Sequence, residues 1–307
     1  MVCANLMWGL MAPTAKMVLG AGVISSLLLT DFRIFGAALL FWCAAAFAPR
    51  EHVPLRDKLL LAGAGVLSIL TNQGCYIFGV GFTSPAEASI ITTTMPMWVM
   101  LLAALFLKEP VTLKKVAGIA LGASGALILI LNGSMSGAVT GGDKPLLGDL
   151  LVLAAQLSYA LYLTLYKNFI KKYSVITLMK WMFLSAAVLL FIPSLPVMIH
   201  TDWSSVTLMQ GLGAGYVVVF GTFIAYLCMM TGQKLLRPTV VGMYNYVQPV
   251  VASMVALTLG LDRFNLWKLL AVALIFTGVY LVIKSKSRAD ELAQRAADAK
   301  TADATEY

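Results

Sequence analysis

The chain has 307 residues, 60% of them apolar and 12% charged, with a mean hydropathy of +0.87; these values exclude a soluble globular domain and place the chain in a bilayer. A formal charge of +8 would suggest nucleic acid as a partner of a soluble protein. Here Lys and Arg sit mainly in short turns between apolar runs, a pattern that orients a membrane protein and gives no reason to expect nucleic acid.

Ten apolar runs cover residues 2–20, 27–47, 59–82, 85–107, 113–131, 146–169, 175–199, 207–232, 238–259 and 266–283. Each comes close to the ~20 residues that, at about 1.5 Å per residue, cross roughly 30 Å of hydrocarbon. Apolar sequence begins at Val2, and no small-residue cleavage site leads into a soluble domain, so the first span is expected to be its own insertion signal. With the N-terminus in the cytoplasm, the inner turns carry 14 Lys and Arg, among them Arg50, Lys108, Lys172, Arg237 and Lys284. The outer turns carry only Lys144, Arg263 and Lys268. This asymmetry predicts both termini inside, at a bacterial inner membrane. Cys3, Cys43, Cys75 and Cys228 stand alone within apolar runs and read as buried thiols, without metal-ligand or disulfide spacing.

Residues 84–130 read as two spans joined by one tight basic turn, and the stretch occurs twice. A shift of 153 positions carries Pro85 onto Pro238, Pro96 onto Pro249, Glu109 onto Asp262 and Gly125 onto Gly278. At a shift of 151, Lys16 falls on Lys167 and Trp8 on Tyr159. A unit of five spans crosses the bilayer an odd number of times, so its second copy enters from the opposite side. The expected fold is an all-α bundle of ten membrane helices in two inverted five-helix repeats, residues 1–131 and 146–284. An outer linker, 132–145, joins them, and the charged, alanine-rich segment 285–307 reads as a solvated cytoplasmic tail with too little apolar surface to pack. Inverted repeats are a device of secondary transporters, whose substrate sites lie near the midplane between the repeats.

Several residues resemble those of the drug/metabolite transporter superfamily, in particular its EamA-type ten-span members. They are Trp8-Gly9, Lys16, Arg33, Thr83-Ser84-Pro85-Ala86, Met95-Pro96 and Lys108-Glu109 with Gly118 and Gly125. The second copy keeps Tyr226, Gln248-Pro249, Asp262 and Gly278, and the similarity covers residues 1–284. The resemblance implies a plasma-membrane carrier moving small metabolites, often outward, by alternating access. Its members handle amino acids, nucleosides, sugars and drugs, so the substrate stays open.

Pro96 and Pro249 lie near mid-depth of their spans, where each removes a backbone hydrogen bond and clashes with the carbonyl four residues earlier. They read as paired hinges or as local unwinding that frees carbonyls; the plainer alternative is a packing kink. Polar side chains near the midplane must face a cavity or another helix. Trp8, Asn72, Tyr76, Gln156, Tyr159, Tyr226, Tyr244 and Gln248 could line an aromatic-walled pocket suited to a neutral or zwitterionic solute. The competing reading for each is an interhelical hydrogen bond, worth about 0.6 kcal/mol.

Lys16, Asp31, Arg33 and Glu87 fall in the outer third of the bilayer, as a charged gate or a proton-linked cluster, with snorkelling as the alternative. Glu87 is expected rather to complete a capping box with Ser84, with Pro85 at the first helical position. Gly118, Gly122 and Gly125, and likewise Gly211, Gly215 and Gly221, are expected to permit close helix packing. A homodimer along span five would use the same glycine pattern. The expected function is secondary transport of a small organic solute, by an exporter, with an uptake permease or uniporter as alternative. A membrane enzyme or sensor is the rival from another class, but neither HExxH nor GxSxG occurs. No cofactor is expected.

Overall fold

The structure, a computed structural model, describes residues 1–19, 23–82, 91–134, 145–248, 250–251, 254, 266–286 and 292. It is all-helical, with no strand among those residues. The spans run Val2–Leu19, Ser26–Ala46, Leu55–Phe82 as three joined segments, Met95–Leu107, Leu113–Ser134, Pro145–Leu165, Val175–His200, Leu208–Leu235 as three segments, a ninth that begins at Pro238, and Leu266–Ile283. Among the described residues, five helical stretches of 20 to 28 residues are long and apolar enough to cross a membrane.

Span starts follow ordinary capping chemistry. Ser25 accepts the Leu28 amide ahead of span two, Ser174 accepts the Thr177 amide ahead of span seven, and Thr207 with Gln210 forms a reciprocal capping box ahead of span eight. Span four ends at Lys108 in the left-handed region, φ 52°, with the Glu109 amide closing on the Ala103 carbonyl at 3.2 Å. Span three starts earlier than the apolar run suggests. Arg56, Asp57 and Lys58 belong to its first turn, and Asp57 is buried where Lys172 and Tyr173, in the turn before span seven, donate to its carboxylate.

Spans five and ten cross backbone to backbone. A Cβ placed on Gly118 would lie 2.7 Å from the Gly278 carbonyl oxygen, and one on Gly125 would lie 2.6 Å from that of Ala271. The shift of 153 carries Gly118 onto Ala271 and Gly125 onto Gly278, so the two contacts are one contact repeated about a pseudo-two-fold axis. The glycine face of span five is therefore covered within the chain, which takes it away from a homodimer.

Gly211 and Gly215 do not pack closely, contrary to expectation: a Cβ on either would meet nothing within 4 Å. They border an apolar cavity of about 420 Å³ between spans two, seven and eight, walled by Phe32, Phe35, Gly36 and Met198. The cysteines are free, and Cys3 and Cys43 lie on the outer surface rather than in the interior.

Candidate functional site

Spans three and eight each pass from α to π winding, at Val66–Thr71 and Val219–Ile224. The shift of 153 superimposes the two segments residue for residue. A π turn leaves the i→i−4 ladder locally and makes carbonyls available to other donors. In span three the Leu67 carbonyl takes the Ser158 hydroxyl at 2.7 Å; in span eight the Gly221 carbonyl takes the Trp8 indole N–H at 2.9 Å. Ser158 comes from span six and Trp8 from span one, so the first span of each half plugs the irregular turn of the other. The Thr222 hydroxyl donates to the Val217 carbonyl at 2.9 Å and accepts from Arg33 Nε at 3.1 Å.

Two hydrogen bonds join a residue to its own repeat counterpart. Gln73 Nε2 donates to the Tyr226 hydroxyl at 2.7 Å, and the Tyr246 hydroxyl donates to the Thr93 carbonyl at 2.9 Å; each pair is 153 apart. Counterparts related by a two-fold rotation touch only near its axis, so these pairs mark where the axis runs. The Tyr226 ring meets Trp8 edge-on at 5.9 Å and Phe183 at 5.1 Å, and Phe183 stacks on Phe41 at 5.2 Å. In span six, Tyr159 and Tyr162 lie 5.7 Å apart and share Gln233, which donates to Tyr159 at 2.8 Å and accepts from Tyr162 at 2.9 Å. Phe41, Tyr159, Tyr162, Phe183 and Tyr226 belong to one buried core, with half-buried Trp8 packed against it, whereas Tyr246 is buried in the separate core of spans five and ten. Gln73 Oε1 and Asn245 Oδ1, acceptors with no hydrogen-bond donor, are buried too.

The sequence-selected residues divide. Trp8, Arg33, Tyr159 and Tyr226 take part in this network. Asn72 instead donates to the Ala155 carbonyl at 2.9 Å, the interhelical alternative. Gln156 is buried, Tyr76 is 38% exposed, and Tyr244 packs with the separate core of spans five and ten. Gln248 is half-buried in span nine.

Pro96 does not bend a continuous helix. A turn at residues 93–94 interrupts span four, and a new helix starts at Met95 with Pro96 in its first turn. The Thr93 carbonyl freed there is the one Tyr246 holds, and Tyr246 itself closes a 3₁₀ segment, Tyr244–Tyr246, in span nine. The side chain of Lys16, in span one, and residues Glu87 and Pro249 lie outside the described positions. Thr93, Tyr162, Gln233 and Tyr246 escape the sequence reading, although the repeat shift that pairs Thr93 with Tyr246 could have found those two.

At the end carrying the basic turns, polar contacts tie the halves together. Glu51 accepts the Ser174 amide at 3.0 Å and its hydroxyl at 2.9 Å, which places an anion at the N-terminus of span seven. Burial alone would raise the Glu51 carboxyl, but hydrogen bonds from Thr177 and Ser174 and the charge of Lys234 hold it below the usual range. The Asp57 carboxylate raises the Lys172 amine. Within the first half, Lys115 pairs with Glu109 at 3.0 Å, and Thr239 of the second half reaches Glu109 at 3.4 Å.

The profile of the EamA-like transporter family matches residues 1–131 and 146–284. The chain belongs to that family. It is similar to the uncharacterized transporter YetK of Bacillus subtilis, 26% identical over 247 residues that span 80% of this chain and 73% of YetK. It is also similar to the uncharacterized inner membrane transporter YedA of Escherichia coli K12, 27% identical over 291 residues, 92% of this chain and 88% of YedA. A crystal structure with 18% sequence identity covers 96% of both chains at a TM-score of 0.75, a likeness of fold. This EamA-like chain is thus a multi-pass membrane transporter of the drug/metabolite type, acting on a small-molecule solute in a lipid environment.

Proposed function

We propose that the protein is a secondary carrier that exports a small neutral or zwitterionic organic solute by alternating access. The halves, residues 1–131 and 146–284, rock about the axis marked by Gln73 with Tyr226 and Thr93 with Tyr246. The observation that carries this reading is the set of four interrupted spans, three, four, eight and nine, meeting around buried polar groups. Broken helices at a repeat interface are where transporters of this kind bind solute. Trp8 and Tyr226 supply aromatic walls. Gln73 Oε1 and Asn245 Oδ1 await donors such as an amine or amide N–H.

Proton coupling through Asp31 is part of the proposal. Asp31 is fully buried in span two; one carboxyl oxygen accepts from Ser194 at 2.6 Å and the other has no hydrogen-bond partner. A proton would turn that second oxygen into a donor. The basic end is proposed to face the cytoplasm with both termini. Ser136→Cys should then react with an impermeant thiol reagent from outside and Lys286→Cys should not.

Counterflow in liposomes with labelled amino acids, nucleosides and sugars tests the carrier reading. Saturable accumulation of one class supports it, and collapse of the proton gradient should abolish net flux in the native chain. Flux that survives collapse assigns a uniporter. Chemical conversion of a solute without flux overturns the carrier reading.

A further inference from the structure

The basic end carries a cluster apart from the residues proposed to bind the solute. Trp42 of span two and Trp181 of span seven meet edge to face at 5.4 Å. Lys58 of span three places its amine 4.5 Å from the Trp181 ring centre. Lys180 lies 5.4 Å from the ring of Trp42 and 5.9 Å from that of Trp181. Two ammonium groups therefore share one pair of indoles, and neither is in an ion pair with a described carboxylate. The nearby acids are engaged: Asp57 takes Lys172 and Tyr173, and Glu51 takes Ser174.

Depth and surroundings point outward, to lipid. Lys180 is five residues into span seven and Trp42 four residues from the end of span two, each about 6–8 Å from a helix end at 1.5 Å per residue. That is the headgroup and carbonyl zone where Trp concentrates. Trp42 is 41% exposed, and the neighbouring surface shows Leu39, Phe47 and Leu59 at 66%, 94% and 66%. The Trp181 indole N–H is buried without an acceptor in the protein. An uncompensated cationic pair over aromatic rings, bordered by lipid-facing apolar side chains, has the chemistry of a site for one phosphate group carrying acyl chains.

We propose that Lys58, Lys180, Trp42 and Trp181 form a binding site for the phosphate headgroup of an anionic phospholipid at the basic end of spans two, three and seven. The lysines hold the phosphate, and the acyl chains run along Leu39 and Leu59.

The test reconstitutes the full chain in phosphatidylcholine vesicles containing bromine-labelled phosphatidylglycerol or bromine-labelled phosphatidylcholine, and reads quenching of tryptophan fluorescence. The expected result is a preference for phosphatidylglycerol of about fivefold per lysine at low salt. Lys58→Gln with Lys180→Gln should remove it, and Lys58→Arg with Lys180→Arg should keep it. Should the Gln pair fail to fold, Trp42→Phe provides the check by losing the phosphatidylglycerol-specific part of the quenching. Equal quenching by both lipids in the native chain, or a preference untouched by either set of variants, overturns the proposal. Displacement by millimolar inorganic phosphate would overturn it too, since the site would then take a free anion.

Discussion

Gln73 donates a 2.7 Å hydrogen bond to Tyr226, its own counterpart in the other repeat. Positions equivalent under the 153-residue shift carry an amide and a phenol, and the pair sits beside the pseudo-two-fold axis. Tyr226→Phe would strand Gln73 Nε2 beside an Oε1 that already lacks a partner. A loss of about 0.6–2 kcal/mol is expected, the lower figure being the membrane average for such bonds. Gln73→Leu in that background should recover part of it. Thermal unfolding of the single and double variants in detergent measures the coupling.

Glycines of two kinds should respond oppositely to alanine. Gly278→Ala brings a methyl to 2.5 Å from the Gly118 carbonyl oxygen and should cost about 1–3 kcal/mol by forcing spans five and ten apart. Gly211→Ala and Gly215→Ala meet open space and should be neutral, or stabilising by up to about 1 kcal/mol through helix propensity. The ranking of melting temperatures decides.

Arg33→Ala removes the donor to Thr222 at the π turn of span eight. It should reduce counterflow more than Lys16→Ala does. Equal and negligible effects would return Arg33 to a snorkelling role.

Glu51 gives a pH signature. Its folded-state carboxyl is held below the ordinary value of 4.5, so its contribution is fully present above that value and fades as pH falls through the lower, folded one. Thermal stability should decline on acidification below about pH 4.5, and Glu51→Gln should flatten that part of the profile.

The ten spans and their pairing into inverted halves are legible because hydrophobic run length and a 153-residue shift survive divergence. The start of span three is less so. Arg56, Asp57 and Lys58 look like a turn until Lys172 and Tyr173, more than a hundred residues away, supply partners for Asp57. The π turns leave no local signature in Val66–Thr71, since their freed carbonyls are satisfied by Ser158 and Trp8 from distant spans. Asn72 and Tyr226 look equally suited to a pocket in sequence; only the neighbouring helix decides that one meets a backbone carbonyl and the other the axis. A glycine's composition likewise cannot say whether it faces another backbone, as Gly118 does, or a cavity, as Gly215 does.

On the proposed alternating access, the contact between Glu51 and Ser174 would open and close with each cycle. With the four native cysteines replaced by serine, Glu51→Cys and Ser174→Cys should cross-link under oxidation across the basic end. The account predicts that the cross-linked protein loses counterflow of its solute and that a reductant restores it. Undiminished counterflow with the cross-link complete would contradict the rocking of the two halves.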